Sequence, residues 1–146
     1  MIGGPGFMGS EADLDGMIYG FENGSLPRAE WTHAAHLALC ASYVLEGDRD
    51  GISPLDRLRA NIPKYNVSQG GANTEDSGYH ETLTCFWHQT IRDYIACLPT
   101  EFDRLEIIGE VVNRFINQRD LFAKFYNFDV VNSREARARW ISPTTS

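Results

Sequence analysis

Apolar residues recur at three- and four-residue intervals through most of this chain, while strict alternation of apolar and polar residues is nearly absent. The first pattern builds one stripe along a helix and the second would build one face of a strand, so the chain is committed to helices. Leu14, Met17, Ile18 and Phe21 carry the helical spacing ahead of Gly24 and Pro27. Thr32 reads as the cap of a second helix with Leu37, Cys40, Ala41 and Val44 on its stripe, stopped at Gly47. Ser53-Pro54-Leu55-Asp56 combines a capping serine, a proline at the first helical position and an early acid. Leu55, Leu58 and Ile62 follow in phase until Pro63, which is expected to end or kink the run.

Residues 67–77 are polar and read as a loop. From Ser77 or Gly78, a pattern including Tyr79, Leu83, Phe86, Trp87, Ile91, Tyr94 and Leu98 predicts a helix of about five turns, closed by Pro99. Thr100 with Asp103 predicts the cap of another, whose stripe holds Leu105, Ile108, Val112 and Phe115, and Ser133 opens a short last helix. The expected fold is therefore all-α: a single-domain bundle of four to five main helices plus a short C-terminal helix over residues 11–146. The glycine-rich start, residues 1–10, reads as a leader or cloning remnant.

At 146 residues, with 42% hydrophobic and 23% charged residues, the chain can bury a core without disulfides or a structural metal. A net charge of −7 argues against nucleic acid or an anionic membrane surface as partner, because phosphate contacts need basic residues. The arginines Arg134, Arg137 and Arg139 read as a solvated helix face. Cys40, Cys85 and Cys97 are odd in number, lack CxxC spacing and lie in apolar helical patterns, which reads as reduced, mostly buried thiols. No run approaches the roughly 20 apolar residues of a membrane span and no signal-peptide pattern is visible, so the reading is cytoplasmic.

The chemistry of the chain is concentrated in two motifs, Trp31-Thr32-His33-Ala34-Ala35-His36-Leu37 and Gly78-Tyr79-His80-Glu81-Thr82-Leu83-Thr84. His33 and His36 lie one turn apart on one helix face, and His80 can reach them from another helix, which makes a three-histidine site for one divalent transition metal ion with an open position. Such an ion would acidify a bound water or take a substrate oxygen. Glu81 lies about 100° round the helix from His80, which suits an acid or base better than a fourth ligand. His88 is about 12 Å further along the axis and reads as structural. Trp31 and Tyr79 precede motif histidines and are candidates to line a cleft, while Phe86, Trp87 and Tyr94 read as packing. Tyr65, Asn66 and Asn73 bracket a glycine-containing loop and are candidate ligand contacts, although turn chemistry explains the asparagines equally well. There is no histidine followed by aspartate, no HExxH and no phosphate-binding glycine loop.

WTHAAHL and NTEDSGYHETLT, with YNVSQG between them and the closing AR-x-R-W-I-S-P, resemble the motifs of a group of small bacterial helical proteins to which no activity is attached. That resemblance spans most of residues 30–143 and implies one domain with a shared site, but no particular reaction. The chain is also loosely similar to DinB-like bundles with a metal-binding histidine triad, from whose HxxxH spacing His33 and His36 depart. Three functions stay open on the sequence. One is a metal-dependent enzyme on a small polar molecule, with His33, His36 and His80 as ligands and Glu81 as acid or base. Another is a metal-free protein that binds a small ligand in an aromatic-lined His/Tyr pocket. The third is a helical homodimeric interaction protein whose histidines are incidental.

Overall fold

The computed structural model describes residues 9–145, so most of the stretch read as a leader lies outside the described residues. Six helices follow one another: α1 (Glu11–Asn23), α2 (His33–Glu46), α3 (Pro54–Ser68), α4 (Glu81–Ala96), α5 (Arg104–Phe115) and α6 (Arg134–Ala138). Short 3-10 turns lie at Arg28–Glu30 and Leu121–Phe125. The fold is an all-α, single-domain bundle, with an isolated bridge between Arg49 and Ile52 in place of any strand among the described residues. No described helix is long and apolar enough to cross a membrane.

Helix α2 is the axis of the bundle and packs against α1, α3, α4 and α5. Its alanines, Ala34, Ala35, Ala38 and Ala41, are all buried, and small side chains let the neighbouring helices close on every side. A second cluster forms where the C-terminal segment folds back over α4, with Phe86, Tyr126, Val130 and Ala136 buried together. Thr82, fully buried, fastens that segment: its hydroxyl donates to the Arg139 carbonyl at 2.7 Å and accepts from the Ile141 amide at 3.0 Å. At the far end of α2, buried Arg57 reaches the carbonyls of Tyr43 and Gly47 and pairs with Glu46, so it satisfies acceptors that a helix terminus otherwise leaves open.

Helix boundaries follow capping chemistry; two differ from the sequence reading, and a third decides between the end and the kink expected at Pro63. Helix α3 continues through Pro63 to Ser68. The loss of one amide there is tolerated because Tyr65 is buried and its hydroxyl anchors the last turn to the Leu26 carbonyl at 2.7 Å. The cap of α5 is Asp103, not Thr100: Asp103 and Glu106 form a reciprocal capping box. Helix α4 starts at Glu81 rather than at Ser77 or Gly78, with His80 as its cap. Gly78 stands at φ +83°, and that left-handed backbone reverses the chain before the helix can begin. Ser10, inside the stretch read as a leader, caps α1 by accepting from the Asp13 amide at 3.0 Å.

Two glycines should respond to alanine in opposite directions. A Cβ on Gly78 would run into the Ala72 carbonyl and Asn73, on top of the unfavourable φ, so Gly78→Ala should cost about 2 kcal/mol in urea unfolding. Gly16 lies in α1 with nothing near its missing Cβ, and Gly16→Ala should add about 0.5–1 kcal/mol by lowering the entropy of the unfolded chain.

Candidate functional site

From Ala34 to Tyr43 every residue of α2 is buried except His36, which is exposed. This middle stretch of the central helix is thus covered and opened at one residue, where a cleft of about 840 Å³ reaches down to it. His33, His36 and His80 all line this cleft, together with Trp31, Tyr79 and Asn66 from the sequence reading. Its walls are completed by apolar groups including Leu83, Trp87 and Phe122, and its rim by Arg28, Arg119 and Asp120.

Backbone carbonyls fix the tautomers of the two α2 histidines. His33 donates from Nε2 to the Phe115 carbonyl at 3.1 Å, and His36 donates from Nδ1 to the Thr32 carbonyl at 2.7 Å. A carbonyl only accepts, so the lone pair of His33 is on Nδ1 and that of His36 on Nε2. Burial pushes both pKa values down against the opposing effect of those carbonyl bonds, and Arg119 adds to the shift. For His36 the surrounding protein has this effect even though part of the ring reaches water, as befits a group on the floor of an open cleft. Both rings are neutral at pH 7 and each keeps one acceptor nitrogen.

His36 is the last ring of a stack. Trp31 lies against Phe21 on one side, with centroids 4.5 Å apart, and against His36 on the other, at 3.7 Å. The indole is therefore sandwiched, and the exposed surface of the imidazole is turned away from it, towards the cleft. Trp87 meets His33 edge-on at 5.5 Å and braces it from α4.

His80 is committed differently. Its Nδ1 accepts the Leu83 amide at 3.2 Å as the cap of α4, and its Nε2 donates to the Val130 carbonyl at 2.9 Å. Both ring nitrogens are occupied by backbone, so His80 joins α4 to the C-terminal segment, and its lone pair is not turned to the same point as those of His33 and His36. Among the described residues, no group of three or more histidine, cysteine or acidic side chains is arranged as a metal cage.

Glu81 faces away from the cleft lining into a polar cluster of its own. Arg59 donates to it from Nε and Nη2 at 2.9 and 2.7 Å, Tyr79 from its hydroxyl at 2.6 Å and Cys85 from its thiol at 3.3 Å. Burial alone would raise its pKa, but these donors outweigh burial and hold it below the ordinary value. The Cys85 thiol is pushed up to about 11 by burial and by Glu81, and Cys40 to about 12 by burial, so both remain protonated. Tyr65 is in the core and does not line the cleft. Asn73 holds the loop between α3 and α4 shut: it donates to the Pro63 carbonyl and accepts from Asn66 and from the Tyr79 amide.

Sequence reasoning assigned Trp87 to packing and passed over Arg28, Arg119 and Asp120. A signal existed for Trp87, which is seven residues after His80 and hence on the same face of α4. None existed for the rim residues, which sit in the connections flanking α2 and following α5. Comparison of the chain with known protein families, with curated proteins and with solved structures gives no match.

The role of His80 makes a stability prediction. His80→Ala should cost about 2 kcal/mol, because it removes the α4 cap and the shorter of the two bonds to the buried Val130 carbonyl, leaving only that from the Ser133 amide at 3.3 Å, whereas His80→Asn should recover part of the loss. Burial lowers the pKa of all four histidines from 6.5, so just below pH 6.5 the unfolded chain binds more protons than the folded one. Stability should therefore fall as pH drops from about 7.5 to about 5, with a smaller fall in His80→Asn, as read from urea midpoints at each pH.

Proposed function

We propose that the cleft over His36 binds a small polar molecule directly through the protein's own side chains. The observation that carries this reading is the single break in burial between Ala34 and Tyr43 of α2: this enclosed stretch of a core helix leaves a neutral histidine open at the floor of an aromatic-walled cleft. Exposing one residue of a central helix sacrifices apolar burial, and a ligand restores it. His33 Nδ1 and His36 Nε2 supply acceptors for ligand hydroxyl or amino protons, and apolar groups such as Leu83 and Trp87 supply contact area. In this reading Glu81 is a positioning residue, since its carboxylate fixes the Tyr79 hydroxyl beside the cleft.

One observation favours a second reading, a divalent transition ion held by His33 and His36. Each ring hands its other N–H to a backbone carbonyl, which is the outer-shell arrangement that orients metal-ligating histidines. His80 joins that set only if its bond to Val130 or to Leu83 is broken.

The two readings separate in one NMR titration of the whole chain with a panel of small polar molecules, run with chelator and again with added zinc. Direct binding should shift the His33, His36 and Trp87 ring resonances in the presence of chelator, and His36→Ala should weaken it about tenfold. Binding seen only with zinc, with about one equivalent of metal by elemental analysis, supports the two-histidine ion. Shifts confined to residues outside the cleft would overturn both.

A further inference from the structure

The rim of the cleft holds two arginines that make no ion pair, a state that only Arg114, Arg137, Lys64 and Lys124 share among the described residues. The chain carries 20 acidic residues against 13 basic ones, and its arginines are almost all engaged. Arg49, Arg57, Arg59, Arg92, Arg104, Arg134 and Arg139 pair with carboxylates, Arg137 donates to carbonyls including that of Gly78, and Arg114 lies over the Phe115 ring. Arg28 and Arg119 are the exceptions. Among the described residues neither side chain makes an ion pair or a hydrogen bond, and both line this one cleft although they are 91 positions apart in sequence. Arg28 Nη1 lies along the loop between α3 and α4, 3.9 Å from where a Cβ on Gly71 would stand. Arg119 stands close enough to His33 and His36 to help keep both uncharged. Asp120 is the one acid on the cleft lining and offsets only one of the two guanidinium charges.

We infer that the cleft selects an organic anion: a flat ring lying on the open face of His36, with an oxyanion drawn to Arg28 and Arg119. The inference rests on the ligand-binding reading and adds the class of ligand to it. Three physical points support it. A guanidinium without a carboxylate partner in an acidic protein is free to make the charge-assisted, bidentate bonds that oxyanions accept. Neutral histidines keep the floor of the cleft from competing for the anion, so the charge is read at the rim. The imidazole of His36, backed by Trp31 and Phe21 in one stack, is a flat surface whose uncovered side matches another ring.

The test titrates the whole chain, in chelator, with four probes of similar size: benzoate, phenyl phosphate, benzamide and benzylamine, followed by the ring resonances of His36 and Trp87. At least one anion should bind saturably, about tenfold or more tighter than neutral benzamide or cationic benzylamine, and the tighter of the two anions tells carboxylate from phosphate. Arg28→Gln and Arg119→Gln should each weaken that anion about tenfold. Arg92→Gln removes the same charge from an exposed pair with Asp93 outside the cleft lining, and should leave binding within about twofold. If benzamide or benzylamine binds as well as the anions, or if the two rim variants behave like Arg92→Gln, the anion inference is overturned while ligand binding stands. If all four probes leave the cleft resonances unmoved, both are overturned.

Discussion

The structure depends on enclosing α2. A helix covered by four others needs small residues where the neighbours approach, and Ala34, Ala35, Ala38 and Ala41 provide them; it also needs its polar termini satisfied, which Thr32 and Arg57 do at opposite ends. From Ala34 to Tyr43 the enclosure fails at one residue. His36 is open where a fifth wall would have been, and the cleft is the volume that this missing wall leaves.

Buried polar groups then decide how the rest of the chain is arranged round that opening. His80, Thr82 and Tyr126 each bond a main-chain group of the C-terminal segment, through Val130, Arg139 with Ile141, and Ile141 respectively. A buried carbonyl or amide without a partner is costly, so these pairings hold the segment to α4 in one arrangement. On the opposite rim, Asn73 and the positive φ of Gly78 hold the polar loop in a closed turn. The cleft is thus bounded by elements held in place by buried bonds, and a ligand bound as proposed would find its walls already ordered. The same bonds commit both His80 nitrogens to backbone partners, although its ring lines the same cleft as His33 and His36.

The helices were legible because apolar periodicity and caps are local. Thr32, Ser53 and Ser133 mark true starts, each side chain accepting an amide three residues on. Two boundaries turn on distant contacts that a local rule does not see. Pro63 does not stop α3, because Tyr65 is anchored to Leu26 from another part of the chain. Glycine at 78 delays α4, because the loop that it closes is held by Asn73. In the site, the WTHAAH spacing placed His33 and His36 on one turn, and both line the cleft, but which nitrogen each ring keeps depends on the Thr32 carbonyl for one and on the Phe115 carbonyl for the other.

An all-α bundle, the phase of each buried stripe and the nearness of His33 to His36 are readable from the residues alone, since they follow from spacing within single helices. The tertiary structure alone decided that Arg28 and Arg119 share a cleft rim, that Trp87 braces His33, and that Glu81 is spent on Arg59, Tyr79 and Cys85. The physical reason is range. Helix periodicity and capping act over three or four residues, whereas a cleft is the space left between surfaces far apart in sequence, and its charge depends on which guanidiniums the fold leaves without a carboxylate.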